Sequence, residues 1–140
     1  MEQQEGKKMA IIIAIIIGAS IGALMRYGLG EFFNTSYPYG TLFANCIGCF
    51  VCGAVWGVSH HIALSPSVKI GMLVGFCGAL TTFSTIMLDI FKFSMNHDST
   101  QAVYYFILTN ISGMLSLGAG LISVRLILKM LGGWILKFKI

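Results

Sequence analysis

The chain has 140 residues, of which 56% are hydrophobic and only 10% are charged, and its mean hydropathy is +0.85. These values exclude an ordinary soluble domain and indicate an integral membrane protein with one domain. The formal net charge is +4, but the nine basic residues form no dense patch interleaved with aromatic residues, so nucleic-acid binding is not supported.

Four apolar segments are each long enough to supply the roughly 20 residues that cross a bilayer core. They cover residues 9–29, 40–62, 66–93 and 100–128. The first follows two lysines and lacks a convincing small-residue cleavage site, so we expect a retained span rather than a signal peptide. Turns are predicted at 34–38 and 96–100, and Ser65-Pro66 has the pattern of a helix start. The predicted fold is an all-α membrane protein with four transmembrane helices.

The third segment contains the least membrane-like stretch of the chain, GFCGALTTFST at 75–85. Each backbone or hydroxyl group left without a partner in hydrocarbon costs several kcal/mol, so this stretch must be buried in protein or line a wet cavity. Its two glycines predict a third helix that is broken near the membrane midplane and carries a binding site. Phe83 is expected inside the break, where its ring edge could face an anion; plain core packing is the alternative.

Three pairs of glycines, 18/22, 53/57 and 71/75, have the small-x-x-x-small spacing that lets helices approach closely. Tight packing within or between subunits is therefore expected. Four spans enclose little interior volume, so an aqueous path requires a second subunit and a dimer is expected.

The polar residues at membrane depth are neutral, since no carboxylate lies in the middle of the first, second or fourth span and Asp89 lies toward the end of the third. A proton-coupled exporter needs a titratable group near the midplane, which argues against a small multidrug-type antiporter. Asn45, Asn110 and the hydroxyls of 81–85 are hydrogen-bond donors that suit an anion. Bridging between helices is the alternative role for any single one of them.

Cysteines in the second span have the spacing C-x2-C-x2-C, which occurs in iron–sulfur ligand sets. They are Cys46, Cys49 and Cys52, with Cys77 in the third span. No fourth ligand lies at a suitable distance and no charged group is near, so small packing residues are expected rather than a cluster or disulfides.

The segments GALMRY at 22–27, GTLFANCIGCF at 40–50 and GFCGALTTFST at 75–85 together resemble the bacterial fluoride channels of the Fluc/CrcB family. The resemblance covers all four spans in order and spacing. It implies a multi-pass protein of the bacterial inner membrane that forms an antiparallel dimer with two narrow fluoride pores and a central structural sodium ion.

The resemblance also implies which residues act. The fluoride pore would be lined by Asn45, Phe83, Ser84, Thr85, Tyr104 and Ser112. The backbone carbonyls of Gly78 and Thr81 would bind sodium, two from each subunit. Tyr105 remains open as an alternative to Tyr104, and Arg26 matches an arginine near the end of helix one that either attracts anions or anchors the helix to lipid.

One position departs from the family pattern. Ile86 stands where the family has a second phenylalanine, three residues after Phe83. An isoleucine keeps the wall of the pore apolar but has no polarised ring edge. The pore that it lines is therefore expected to conduct poorly or differently.

The basic residues divide unevenly between the two predicted sides of the membrane. Two, Arg26 and Lys92, are on one side, and seven are on the other: Lys7, Lys8, Lys69, Arg125, Lys129, Lys137 and Lys139. This bias predicts one fixed topology with both termini in the cytoplasm. We therefore expect pairing with an oppositely oriented homologue rather than with itself, unless the tail charges lie too late to bias insertion.

The resemblance thus implies a passive channel that exports cytoplasmic fluoride and relieves fluoride toxicity, with no catalytic step. A four-span exporter of small molecules or cations, of the small multidrug resistance type, is the alternative from another class. A non-conducting membrane scaffold built on glycine-packed helices is the third possibility.

Overall fold

The computed structural model describes the backbone of residues 2–33 and 37–137 and the side chains of 3–33 and 37–131. The elements in chain order are α1 (Glu2–Phe33), α2 (Tyr39–His61), α3 (Pro66–Ile70), a π-helical segment (Gly71–Cys77), α4 (Gly78–Leu80), α5 (Phe83–Met95) and α6 (Ser99–Lys137). Among the described residues, four helical stretches are long and apolar enough to cross a membrane: Gln3–Phe33, Tyr39–His61, Pro66–Met95 and Ser99–Leu131. The predicted all-α, four-span fold is confirmed.

The first and fourth helices extend furthest beyond the predicted apolar segments, whereas α2 ends at His61, one residue before its predicted end. At the start of α1 the reason is that Glu, Gln and Lys are good helix formers. The predicted start at Ser65-Pro66 is present: Ser65 Oγ accepts a hydrogen bond from the Val68 N–H at 3.3 Å, and proline occupies the first turn. Before α6, Asp98 Oδ1 accepts from the Gln101 N–H at 3.0 Å, within the predicted turn 96–100. Residues 34–36 of the other predicted turn lie outside the described residues.

The third span is bent near its middle, as predicted, but not at the glycines. Gly75 lies in the π-helical segment and Gly78 begins α4, whereas the backbone becomes extended at Thr81 (ψ 152°) and Thr82 (ψ 123°). The expectation that Phe83 lies inside the break is wrong, since Phe83 is the first residue of α5. The hydroxyl of Thr82 caps α5, so a threonine rather than a glycine determines where the helix restarts.

Glycines set the two main helix contacts. The first span packs against the π-helical segment, where a Cβ on Gly18 would overlap the Gly71 carbonyl oxygen. The second and fourth spans pack against each other most extensively. There, a Cβ on Gly53 would overlap the Leu117 carbonyl oxygen, and one on Gly120 would overlap that of Phe50. Close packing at the predicted small-x-x-x-small pairs is thus present within the chain.

Candidate functional site

A cavity of about 290 Å³ lies beside the break, between α2, α5 and α6. Its walls are formed by Asn45, Cys49, Thr81, Thr82, Phe83, Ile86, Thr109, Asn110, Gly113 and Met114. The cavity brings the predicted pore residues Asn45 and Phe83 together and adds Asn110 from α6. Among these lining residues there are amides, hydroxyls and apolar groups but no Asp or Glu. The cavity therefore offers a ligand uncharged hydrogen-bond donors and no negative charge.

The buried side chain of Asn45 holds the break open. Its Oδ1 accepts the Thr82 N–H at 2.7 Å, and its Nδ2 donates to the Thr82 carbonyl oxygen at 3.4 Å. Both backbone groups of Thr82 that the helix would otherwise pair are thereby satisfied by one amide. The N–H donor also fixes which amide atom is the oxygen, because only Oδ1 can accept.

Thr82 is the centre of a hydroxyl network at the start of α5. Its Oγ1 accepts the Thr85 N–H at 3.2 Å and lies 3.0 Å from Thr85 Oγ1 and 3.3 Å from Ser84 Oγ. The hydroxyl of Thr81 points the other way and donates to the Cys77 carbonyl oxygen at 2.8 Å. From the sequence, Thr82 is counted among the hydroxyls of 81–85 but is not identified as the cap of α5, although a threonine directly before an apolar helical run is a standard N-cap signal.

The other predicted pore residues lie at different places around the break. Thr85 lines a second cavity, described below, and Ser84 is exposed on the surface of the single chain. Tyr104 is 59% exposed, and Ser112 donates to the Thr109 carbonyl oxygen at 3.3 Å without lining the first cavity. The structure thus brings Asn45 and Phe83 together and does not bring Tyr104 or Ser112 to them.

The face of α6 that points into the protein contains Tyr105 rather than Tyr104. Tyr105 is fully buried, in ring contact with Tyr37 and Phe93. One turn later, Thr109 is 4% exposed, and its Oγ1 has no hydrogen-bond partner among the described residues. Gly113 follows after another turn and lines the cavity. Of the two tyrosines left open by the sequence, the one that faces inward is Tyr105.

A second cavity, of about 520 Å³, adjoins the first at Thr82. Its lining consists of Ala23, Arg26, Tyr27, Gly30, Glu31, Thr41, Thr82 and Thr85. Arg26 therefore lines a space that also contains Thr82 and Thr85 of the break. Its guanidinium places a cation in this cavity, together with the carboxylate of Glu31.

Asp89, the carboxylate nearest the break in sequence, is buried and already engaged. Thr41 Oγ1 donates to its Oδ2 at 3.4 Å, and Lys92 Nζ lies 3.6 Å from its Oδ1. Asp89 lines neither of the two cavities at the break. Its charge is thus compensated by α2 and by its own helix.

The residues implied to bind sodium have suitable chemistry for a hard cation. α4 ends at Leu80, and the Thr82 N–H that would pair with the Gly78 carbonyl in a continued helix is used by Asn45. Gly78 is exposed, with only the Leu73 carbonyl oxygen, at 3.8 Å, near the place of an added Cβ. Carbonyl oxygens at the C-terminal end of a helix carry negative partial charge and suit a cation that prefers oxygen ligands.

The four cysteines are free thiols at helix contacts. Cys77 is buried, and Cys46, Cys49 and Cys52 are half-buried. Cys49 Sγ lies 3.5 Å from the place of a Cβ on Gly113, where α2 meets α6. Within the described ranges, no three Cys, His, Asp or Glu side chains are grouped so that they could bind a metal ion.

Comparison with known proteins identifies the family. Residues 13–121 match the family described as "CrcB-like protein, Camphor Resistance (CrcB)". The fluoride-specific ion channel FluC of Trichormus variabilis is 39% identical over 126 residues, covering 86% of this chain and 92% of that protein. FluC of Chloroflexus aurantiacus is 34% identical over 117 residues (79% and 93%), and FluC of a Synechococcus species is 35% identical over 123 residues (84% and 95%). The chain, with its four spans and its bent third helix, belongs to the CrcB family.

Proposed function

We propose that this protein is a fluoride-selective channel through which cytoplasmic fluoride leaves the cell passively. The observation that carries the proposal is the cavity at the break, where neutral N–H and O–H groups meet an aromatic ring without a carboxylate in the lining. A negative side chain there would repel an anion, whereas neutral donors can replace its water shell. The FluC relatives, named as fluoride-specific channels, support the same ion.

Asn45 is the main donor of the proposed pore. Its amide oxygen is committed to the Thr82 N–H, so the NH2 group is directed away from that bond. The NH2 group has two hydrogens, and the Thr82 carbonyl oxygen accepts at 3.4 Å. The second hydrogen is left for an anion in the cavity. Asn45 thus orients one donor toward the ion while it holds the backbone open.

The start of α5 adds a positive field to the same place. The first N–H groups of a helix have no partner within it, and the helix dipole is positive at that end. Phe83 is the first residue of α5, and its ring is 70% exposed in the single chain, so the ring edge is available to an ion or to a second subunit. Ile86 and Met114 add apolar surface to the lining, which limits the water that accompanies the ion.

Passive flow of the anion suffices for export. Fluoride enters a cell as the neutral weak acid HF and ionises in the less acidic cytoplasm, where the anion is trapped. A pore that passes the anion drains it without an energy source. No bond needs to be made or broken, so the protein is proposed to act without enzymatic activity.

A second subunit completes the proposed pore. Phe83 and Tyr104 are largely exposed in the single chain. In the most apolar stretch of the first span, only 6% of the residues are buried. We propose an antiparallel dimer in a bacterial inner membrane, with membrane lipid around it. Because seven of nine basic residues favour one side, the second subunit is proposed to be an oppositely oriented homologue.

A structural sodium ion at the dimer centre is part of the proposal. The carbonyl oxygens of Gly78 and Thr81 would hold it, and the ion would compensate the negative helix end that the break creates. Replacing sodium by choline during purification and assay should therefore weaken dimerisation and lower fluoride efflux at least about tenfold, since four carbonyl oxygens would face one another uncompensated. Sedimentation and efflux in matched sodium and choline buffers test this; the same dimer fraction in both would contradict a structural sodium ion.

The proposed function is tested by fluoride efflux from liposomes. The protein alone, or mixed with an oppositely oriented CrcB homologue, is reconstituted into liposomes loaded with potassium fluoride. Valinomycin then lets potassium leave, so that fluoride efflux can proceed without a build-up of charge. We expect rapid efflux from the mixed sample, little from the protein alone, and none with chloride in place of fluoride. Empty liposomes are the control.

Each other outcome identifies a different alternative. Rapid efflux from the protein alone would contradict the need for a different partner but would still support a fluoride channel. Proton flux that depends on a substrate would favour a transporter of the small multidrug resistance type. Absence of flux in both samples would contradict the channel and favour a membrane scaffold.

A further inference from the structure

A third cavity lies at the end of the helix pair formed by α2 and α6, away from the break. Its volume is about 590 Å³, and its lining consists of Gly57, His60, His61, Leu121, Arg125, Leu128 and Lys129. It shares no lining residue with either cavity at the break. The lining combines four nitrogen-bearing side chains with aliphatic ones and contains no carboxylate.

Close packing of the two helices creates the cavity floor. A Cβ added to Gly57 would lie 3.3 Å from both Leu121 Cδ1 and Val124 Cβ, so glycine is what allows α6 to approach. Arg125 and Lys129 are four residues apart and therefore lie on the same face of α6. His60 and His61 form the last turn of α2 on the other side.

The position of the cavity corresponds to the headgroup region of a membrane. α2 ends at His61, where its apolar span also ends. The neighbouring Trp56 is exposed; its ring lies 5.3 Å from the His60 ring, and Lys69 Nζ lies 5.2 Å from its centroid. Tryptophan and lysine are enriched where the hydrocarbon meets the headgroups, which places the cleft at this depth independently of its own lining.

We propose that this cleft binds an anionic phospholipid by its phosphate headgroup. Arg125 can bind two phosphate oxygens through its planar fork, and Lys129 adds a second full charge. Leu121 and Leu128 in the lining, with Ile127 and Met130 exposed on the same helix, provide apolar surface for the acyl chains. Basic clefts between membrane helices are known to bind anionic lipid headgroups. The aliphatic lining favours a lipid over free phosphate, which has no acyl chain to bury.

Native mass spectrometry of the full-length protein in a neutral detergent tests the proposal. Bound dioleoyl phosphatidylglycerol is compared with dioleoyl phosphatidylcholine, which has the same acyl chains and no net charge. We expect phosphatidylglycerol to bind at least about tenfold more tightly, and the variant R125Q/K129Q to lose this preference. The matched control K7Q/K8Q removes the same charge from exposed lysines outside the cleft and should retain it.

Three outcomes would overturn the proposal. They are equal binding of the two lipids, an equal loss in K7Q/K8Q, and displacement of the lipid by an equal concentration of inorganic phosphate, which would make this a site for free phosphate. Thermal unfolding of each variant checks that it is folded. If R125Q/K129Q does not fold, His61→Ala removes a lining side chain from the helix end, and it should lower the phosphatidylglycerol preference in the same assay.

Discussion

Replacing Asn45 with aspartate should abolish fluoride efflux while the bend in the third span remains. Aspartate retains the oxygen that accepts the Thr82 N–H, at 2.7 Å in the parent protein, so the shorter of the two hydrogen bonds at the bend is kept and only the 3.4 Å bond to the Thr82 carbonyl oxygen is lost. The NH2 donor is replaced by a charged oxygen. Two like charges about 4 Å apart repel by about 4 kcal/mol at an effective dielectric constant of about 20, which corresponds to about a thousandfold lower occupancy.

The measurement is fluoride efflux from liposomes that contain the protein and its oppositely oriented partner. Asn96→Asp is the matched control, because it makes the same chemical change at the exposed end of α5. This control should conduct within about twofold of the parent, since an exposed charge at the opposite end of α5 from Phe83 is screened by salt. Normal efflux through Asn45→Asp would contradict the assignment of Asn45 to the pore.

Replacing Gly120 with alanine should destabilise the folded protein strongly. The new Cβ would overlap the Phe50 carbonyl oxygen and lie 3.0 Å from the Ala54 nitrogen. Both are backbone atoms, so no side chain can rotate away and the two helices must separate. We expect a loss near the upper end of the about 1–3 kcal/mol that overpacking costs, seen as a lower unfolding temperature and a broader size-exclusion profile.

Gly118→Ala provides a control two residues away on the same helix. Apart from its chain neighbours and the backbone of its own helix, no atom of the described residues lies within 4 Å of a Cβ at Gly118. Alanine favours a helix over glycine by about 0.5–1 kcal/mol, so this variant should unfold at the same or a slightly higher temperature. Equal destabilisation by the two alanines would contradict the view that the close contact at Gly120 is what matters.

Membrane insertion explains why so much of the architecture is predictable. A span must be about 20 apolar residues long and must satisfy its own backbone, so hydropathy alone locates four helices. The anomaly at 75–85 marks the third of them as bent for the same reason. Helix ends are less predictable, because polar helix formers such as those before Met9 extend α1 beyond the point where the hydropathy falls.

The face of α6 that meets the cavity is not predictable from spacing. Tyr104 and Tyr105 are adjacent and chemically identical, and hydroxyls follow both of them at helical intervals. The choice depends on how α6 rotates against α2, and the two helices approach so closely at Gly120 that an added Cβ there would overlap the Phe50 carbonyl oxygen. This rotation turns Tyr105 and Thr109 inward and leaves Tyr104 exposed.

The sequence by itself determined the four spans, the bent third helix and the polar residues at membrane depth, because hydrocarbon penalises every polar group that lacks a partner. Only the tertiary structure decided where the bend lies. It lies at Thr81 and Thr82 because Asn45, 37 positions before Thr82, provides the hydrogen bonds that a helix would otherwise make. That pairing joins two helices across the bundle, and no local pattern around either residue contains it.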